Sequence, residues 1–288
     1  MKISIVTDEI SADPETAIEL GVSWGVRDFE LRGFGTDRVP LFSTFQKDRL
    51  AELVAEHRIN LIAISPGLFK IPYPISGRQR FAFRTLDADL HQKWQHGRDL
   101  LGFHLQELLP LSIEYARQIG VDLISTFGFH RGGASPGPAP DGVLEALRQA
   151  AKQVGEAEMR LAIEVEDGFW ADTGARTAEI VRQINEPALG INWDPGNSLP
   201  AGETPYPDGY QAVRDLVRHV HFKDVIIKPD GGYEYVLEGD IDWAGQISAL
   251  ADDNYPGYIS VETHLQPKVH CAQVLTKRLQ GLIAASRE

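Results

Sequence analysis

Cysteine is nearly absent: Cys271 is the only one in 288 residues. No internal disulfide can therefore form, which excludes a small scaffold stapled by bridges. Long apolar runs are missing too, since no stretch approaches the roughly 20 consecutive apolar residues that span a bilayer. The opening MKISIVTDEIS has no apolar segment flanked by a basic region and a cleavage site, so no secretory leader is expected. Basic charge is in deficit, with 28 Lys and Arg against 41 Asp and Glu and a net charge of −13. Such a field repels polyphosphates and disfavours nucleic acid as a partner. Also lacking is a G-x-G-x-x-G after the first strand-like run, which removes the best support for a dinucleotide-binding sheet. What remains is a cytoplasmic globular chain, 43% hydrophobic and 24% charged, with enough apolar surface for a sizeable core.

Eight short β-rich runs alternate with segments of helical period. The runs are Ile3 to Thr7, Val26 to Leu31, Asn60 to Ser65, Val121 to Phe127, Arg160 to Val165, Leu189 to Trp193, Val217 to Val225 and Tyr258 to Thr263. Helices are predicted over Pro14–Leu20, Lys47–His57, Leu105–Ile119, Gly142–Ala157, Arg176–Ile184, Tyr210–Leu216, Trp243–Ala251 and Val269–Ala285. Alternation at this spacing predicts an α/β parallel sheet closed as a (β/α)₈ TIM barrel, a single domain over residues 1–288. Punctuation agrees: Asp13-Pro14 reads as a cap followed by proline in the first turn, and Gly21 and Gly120 end helices just before strands. Two insertions interrupt the rhythm, at about 70–97, rich in aromatic and basic residues, and at 131–140, RGGASPGPAP. Both follow strands, on the face where such barrels keep their active sites, and both are candidate lids or tolerated surface loops.

The last four strands each carry a metal-competent residue near the C-terminal end: Glu164, Asp194, His221 and Glu262. In a parallel barrel those ends converge on one mouth. Three like charges in a partly buried cup repel one another, and a divalent cation is the simplest neutraliser. Any one of these residues alone reads as a salt-bridge partner or helix cap; four on successive strands do not. His219 and His221 point to the same side of one strand, with His219 expected deeper as a packed histidine. Glu166 stands two residues beyond Glu164 and is expected as a supporting group or a substrate contact. Lys223 lies beyond His221 on the same face, as a charged donor to a substrate oxygen or, alternatively, as a Schiff-base lysine. Arg32, His130, Arg131 and Trp170, on loops after strands, are further candidate substrate contacts or packed surface.

The ordered phrases IEVEDG, NWDPGN, HVHFKD, EGDIDW and ISVETH, preceded by ISIVTDEIS, FELR and AISPG, resemble the sugar phosphate isomerase/epimerase family of xylose-isomerase-like barrels. That family includes ketose 3-epimerases and inosose dehydratases, and the likeness spans nearly the whole chain. The resemblance implies metal ligation by Glu164, Asp194, His221 and Glu262, the set reached from the strand ends. It also implies that Glu164 and Glu262 are the catalytic acid/base pair. Where many members carry a substrate-binding His three residues after the Asp, this chain has Asn197, which can still hydrogen-bond. Glu238 to Asp240 (EGD) matches a family loop that either reaches the mouth or forms a surface turn.

One bound cation, Mn²⁺ or Mg²⁺ with Zn²⁺ or Co²⁺ as alternatives, would polarise a carbonyl and acidify the neighbouring C–H, forming an enediolate. The expected activity is isomerisation or epimerisation of a small polyhydroxylated sugar or sugar phosphate. A lyase of the inosose or dehydroshikimate dehydratase type shares the first step and is the alternative. A non-catalytic sugar-binding barrel and an endonuclease acting on abasic DNA rank lower, the latter because it needs more histidine ligands and a basic face. A homo-oligomer is allowed, and no membrane partner is expected.

Overall fold

A computed structural model describes residues 1–73 and 99–287. The eight β-rich runs form strands β1 (Lys2–Val6), β2 (Asp28–Leu31), β3 (Asn60–Leu68), β4 (Leu123–Phe127), β5 (Arg160–Glu164), β6 (Leu189–Trp193), β7 (Val217–Phe222) and β8 (Tyr258–Val261). Each pairs in parallel with its neighbours in sequence, and β1 meets β8 from Lys2↔Tyr258 to Ile5↔Val261, so the sheet closes. Helices α1 (Pro14–Ser23), α2 (Thr44–His57), α3 (Leu109–Gln118), α4 (Asp141–Glu156), α5 (Gly174–Ile184), α6 (Tyr210–Val213), α7 (Trp243–Asp252) and α8 (Lys268–Ala285) connect them. Among the described residues no helix is long and apolar enough to cross a membrane.

Local chemistry explains the helix starts. Asp13 accepts the Thr16 N–H ahead of Pro14, Thr173 accepts that of Arg176, and Ser43 with Gln46 closes a reciprocal capping box. Each cap is worth about 1 kcal/mol. In α4 the buried Val143, Ala146, Leu147, Ala150, Ala151 and Val154 recur at helical spacing and form the stripe that covers the sheet.

Strand alternation separates two layers. Ile5, Phe29, Ile64, Ile124, Ile163, Ile191, Val220 and Ile259 join the apolar core between sheet and helices, and all are fully buried. The residues of opposite parity face the barrel axis and are largely polar: Ser4 meets Ser260 at 2.8 Å, and Glu30, Asn192, His219 and His221 lie above them. Barrel interiors are usually packed with branched apolar side chains, so this polar stack is the fold's departure from the norm. The apolar outer layer supplies the stability that lets the inside carry charge.

Among the boundaries that differ from expectation, two have a clear local cause. The run Val217–Val225 is not one strand: β7 stops at Phe222, and Asp224–Ile227 pairs antiparallel with Tyr233–Val236 as a hairpin beside the mouth. The buried Asp224 carboxylate accepts the N–H groups of Val225 and Ile241 and pairs with Arg278, which draws the chain off the barrel. Helix α6 ends at Val213 instead of Leu216, because the Leu216 carbonyl is taken by the Ile191 N–H of β6.

The insertion at 131–140 packs sideways. Arg131 pairs with Asp172, and Gly137, Pro138 and Ala139 share a crevice with Trp170 and α5, so this segment does not roof the mouth. Of the other expected lid, about 70–97, residues 74–97 lie outside the described residues.

Candidate metal centre

Glu164 is the last residue of β5, Asp194 caps the one-turn helix Pro195–Ser198 after β6, His221 lies near the end of β7, and Glu262 follows β8. The strand ends bring them together: one ligand atom from each lies within 4.8 Å of the others. All four side chains are buried. The His221 Nδ1 stands 3.3 Å from Glu262 Oε2, 3.4 Å from Glu164 Oε1 and 3.7 Å from Asp194 Oδ2. It nevertheless makes no hydrogen bond, although it is completely buried. Four donor atoms gathered this closely are a group that could hold a cation.

The opposite edge of the imidazole is held. Its Nε2 lies 3.1 Å from Glu30 Oε2 and 3.1 Å from Asn192 Nδ2, and Glu30 also takes His219 Nε2 at 2.8 Å. A proton on Nε2 donated to Glu30 leaves the Nδ1 lone pair facing the cup, the arrangement by which a carboxylate fixes a metal-binding histidine. Burial would raise the Glu30 pKa, but the His221 and His219 charges outweigh it and hold the carboxyl well below its usual range. Burial would likewise depress His221, yet Glu30, Glu262 and Glu164 raise it well above its ordinary value. His219 is the deeper, packed member of the pair, 5.4 Å from His221 between ring centres.

Lys223 does not reach the cavity. Its ammonium is fully buried, 2.7 Å from both Asp194 Oδ2 and Glu262 Oε2, in room left by Gly196, where a Cβ would fall 2.6 Å from Lys223 Cγ. Burial opposes its charge, but Asp194 and Glu262 raise its pKa well above normal, so it is no nucleophile for a Schiff base. Expected as a donor to substrate, it here braces two of the acids. With His221 neutral, as metal ligation requires, three carboxylates against this one ammonium leave two negative charges, the number a divalent ion would match. Arg32 adds little to that balance because Asp8 and Glu9, as well as Glu262, share its guanidinium.

Above the strand ends opens a small cavity of about 40 Å³. Glu164, Glu166, His221 and Glu262 line it, with Arg32, Arg38, Ser65, Lys70, Phe127 and His264. Glu166 sits at the rim, 3.0 Å from Lys70 Nζ. His264 bridges Glu9 and Glu262 at 3.4 Å each; burial opposes its charge, but Glu262 pushes its pKa up to about 9.

Other expected contacts fall elsewhere. Asn197 is buried and spends its amide on Val165 O, Glu166 and Asp194, so it aligns two acids from behind. Trp170 lines the crevice beside α5, and His130 accepts the Gly132 N–H and packs edge-on to Phe169; neither borders the cup. Exposed Glu238 and Asp240, whose carboxylate accepts the Ile227 N–H, form a surface turn. Glu9, Glu30, Arg38 and His264 were not anticipated. The acidic residue in FELR was the available signal for Glu30, but its partner lies 189 residues away.

A closed α/β barrel with an acidic, histidine-bearing cup at the C-terminal ends of its strands defines the class of molecule. The sequence matches the xylose isomerase-like TIM barrel family model over residues 18–278, and the chain belongs to that family. Among solved structures, it resembles the probable 3-DHS dehydratase AsbF of Bacillus anthracis at 17% identity, TM-score 0.66, covering 97% of this chain and 99% of the other. A D-allulose 3-epimerase from Methylomonas sp. shares 14% identity at TM-score 0.66, covering 98% and 96%. A xylose isomerase-like protein from Mycobacterium smegmatis, solved in complex with magnesium, shares 15% at TM-score 0.66, covering 94% and 89%. Comparison with curated protein sequences finds no match.

Proposed function

We propose that the chain is a divalent-metal-dependent isomerase or epimerase of a small sugar or sugar phosphate. Glu164, Asp194, His221 and Glu262 hold Mn²⁺ or Mg²⁺, with Zn²⁺ or Co²⁺ as alternatives, and Glu164 and Glu262 move the proton. The observation that carries the reading is the buried, unpartnered His221 Nδ1 facing three carboxylate oxygens. Family membership supports it. When bound, the ion polarises a substrate carbonyl and makes the adjacent C–H acidic.

The side chains supply the rest. Glu164 on β5 and Glu262 beyond β8 come from strands separated by β6 and β7, and both line the cup. One can remove a proton while the other returns it, which inverts or relocates the centre. Lys223, His264 and His221 keep Glu262 ionised, and its pKa lies well below the usual carboxylate range despite burial. Phe127 and the charged rim residues hold the substrate among fixed dipoles.

The test is exchange in D₂O, followed by NMR, over a panel of ketoses and ketose phosphates with added Mn²⁺. The expected result is deuterium at the carbon beside the carbonyl of one substrate, with an isomeric product. E164Q and E262Q should lose both. Release of water with an unsaturated product would replace this reading by the lyase one, and exchange that survives in both variants would remove the acid/base pair.

A further inference from the structure

Every cationic side chain lining the cup is matched except one. Arg32 has Asp8, Glu9 and Glu262; Lys70 has Glu166 and the face of Phe127, 4.3 Å away; His264 has Glu9 and Glu262. Arg38 has no carboxylate among the described residues, and its only hydrogen bond there runs from Nε to the Ser65 carbonyl, 2.8 Å away. Both terminal nitrogens of the guanidinium thus make no hydrogen bond among the described residues, while the side chain lines the cavity.

The placement is built, not incidental. Arg38 pairs with Gly33 in the Gly33–Phe34/Asp37–Arg38 hairpin that follows β2. Gln46 of α2 ties that hairpin down, donating to Phe34 O and to Asp37 Oδ2. The guanidinium lies over Gly67, where a Cβ would stand 3.1 Å from Nε and 3.3 Å from Cζ. A larger residue there would crowd it. Burial and the nearby Arg32 charge lower the Arg38 pKa by more than the charges of Asp8, Glu164 and Glu262 raise it, and a guanidinium stays charged at neutral pH.

We infer that Arg38 is the seat for an oxyanion of the substrate, a carboxylate or phosphate held by its free fork while the hydroxyl and carbonyl end faces the acidic cup. This rests on the cavity being the substrate site, and it narrows the substrate to acidic members: polyhydroxy acids or sugar phosphates. A neutral sugar would leave the fork unpaired in a partly dry pocket, which a planar pair of N–H donors penalises.

Titration calorimetry with three probes that differ in one group decides it: glycerol, D-glycerate and glycerol 3-phosphate, each with saturating Mg²⁺. For the intact chain, one acidic probe should bind about tenfold or more tighter than glycerol. D-glycerate as the preferred probe identifies a carboxylate, glycerol 3-phosphate a phosphate. R38M should bring that ratio close to unity and leave Mg²⁺ affinity unchanged, an outcome that a purely structural role for Arg38 does not produce. If R38M does not fold, R38Q, which retains a donor for the Ser65 carbonyl, takes its place. An acidic probe that binds no better than glycerol, or a preference that survives loss of the guanidinium, overturns the inference. Mg²⁺ affinity is measured first; if no ion binds, the metal reading fails by itself and the same ratio is judged without metal.

Discussion

The two halves of the barrel contribute different chemistry to one cup. Strands β5 to β8 supply the four residues whose ligand atoms converge, Glu164, Asp194, His221 and Glu262. Strands β1 to β3 and the turns after them supply Glu9, Glu30, Arg32, Arg38 and Ser65, which hold those residues in place or wait at the rim. Ser65 and the two histidines clamp Glu30, Glu30 turns His221, and Arg32 fixes Glu262. The difference teaches that the second half offers the chemistry, while the first half, together with Lys223, Asn192 and Asn197, sets its geometry. The outer apolar layer is indifferent to both.

Four changes sharpen that contrast, and the largest effect belongs to the second half. E262Q or E164Q should slow deuterium exchange by about 10²–10⁴-fold, the range for a lost general acid or base, measured as an initial rate by NMR. Phe29→Ala, in the fully buried outer layer, should cost about 3–5 kcal/mol in urea unfolding. The folded variant should bind Mn²⁺ like the parent, since Phe29 faces the helices and not the cup. A change in Mn²⁺ affinity would blur the separation of layers.

The third concerns pH. His104 is buried, its Nδ1 accepts the Phe69 N–H at 2.8 Å, and burial pushes its pKa down from 6.5 to about 4. Between those values the unfolded chain binds more protons than the folded one, so stability falls as pH falls through this window and is fully present above it. The total is on the order of 3 kcal/mol. Comparing urea unfolding at pH 7 and pH 4, H104Q should lose that much less than the parent; equal losses would remove His104 from the account.

The smallest effect tests the first half directly. Glu30→Gln should weaken Mn²⁺ binding by about 10–100-fold, the range for groups that orient a ligand, while unfolding shifts far less than for Phe29→Ala. An unchanged affinity would reduce Glu30 to a packing residue.

The strands were legible because short, nearly continuous apolar runs end in a single acid, as in LAIE, or carry histidines, as in HVH, the pattern of parallel strands buried on both faces. The four converging residues followed from parallel closure alone. Glu30 and Arg38 were not legible, because their meaning depends on partners across the barrel: two histidines for one, the absence of a carboxylate for the other. Lys223 was placed on the right face but at the wrong depth, since the break after Phe222 is caused by Asp224 reaching Ile241 and Arg278. His130 and Trp170 sit on irregular loops whose path no periodicity encodes; Trp170 lies at the flank of α5 and His130 packs against Phe169.

The central claim is a cation held by all four converging residues. Crystals grown with Mn²⁺ and measured for anomalous scattering test it directly. The account predicts one peak within about 2.0–2.4 Å of Glu164, Asp194, His221 Nδ1 and Glu262. A peak seated instead between Glu9 and His264, or an empty cup with Lys223 still bridging Asp194 and Glu262, would contradict it.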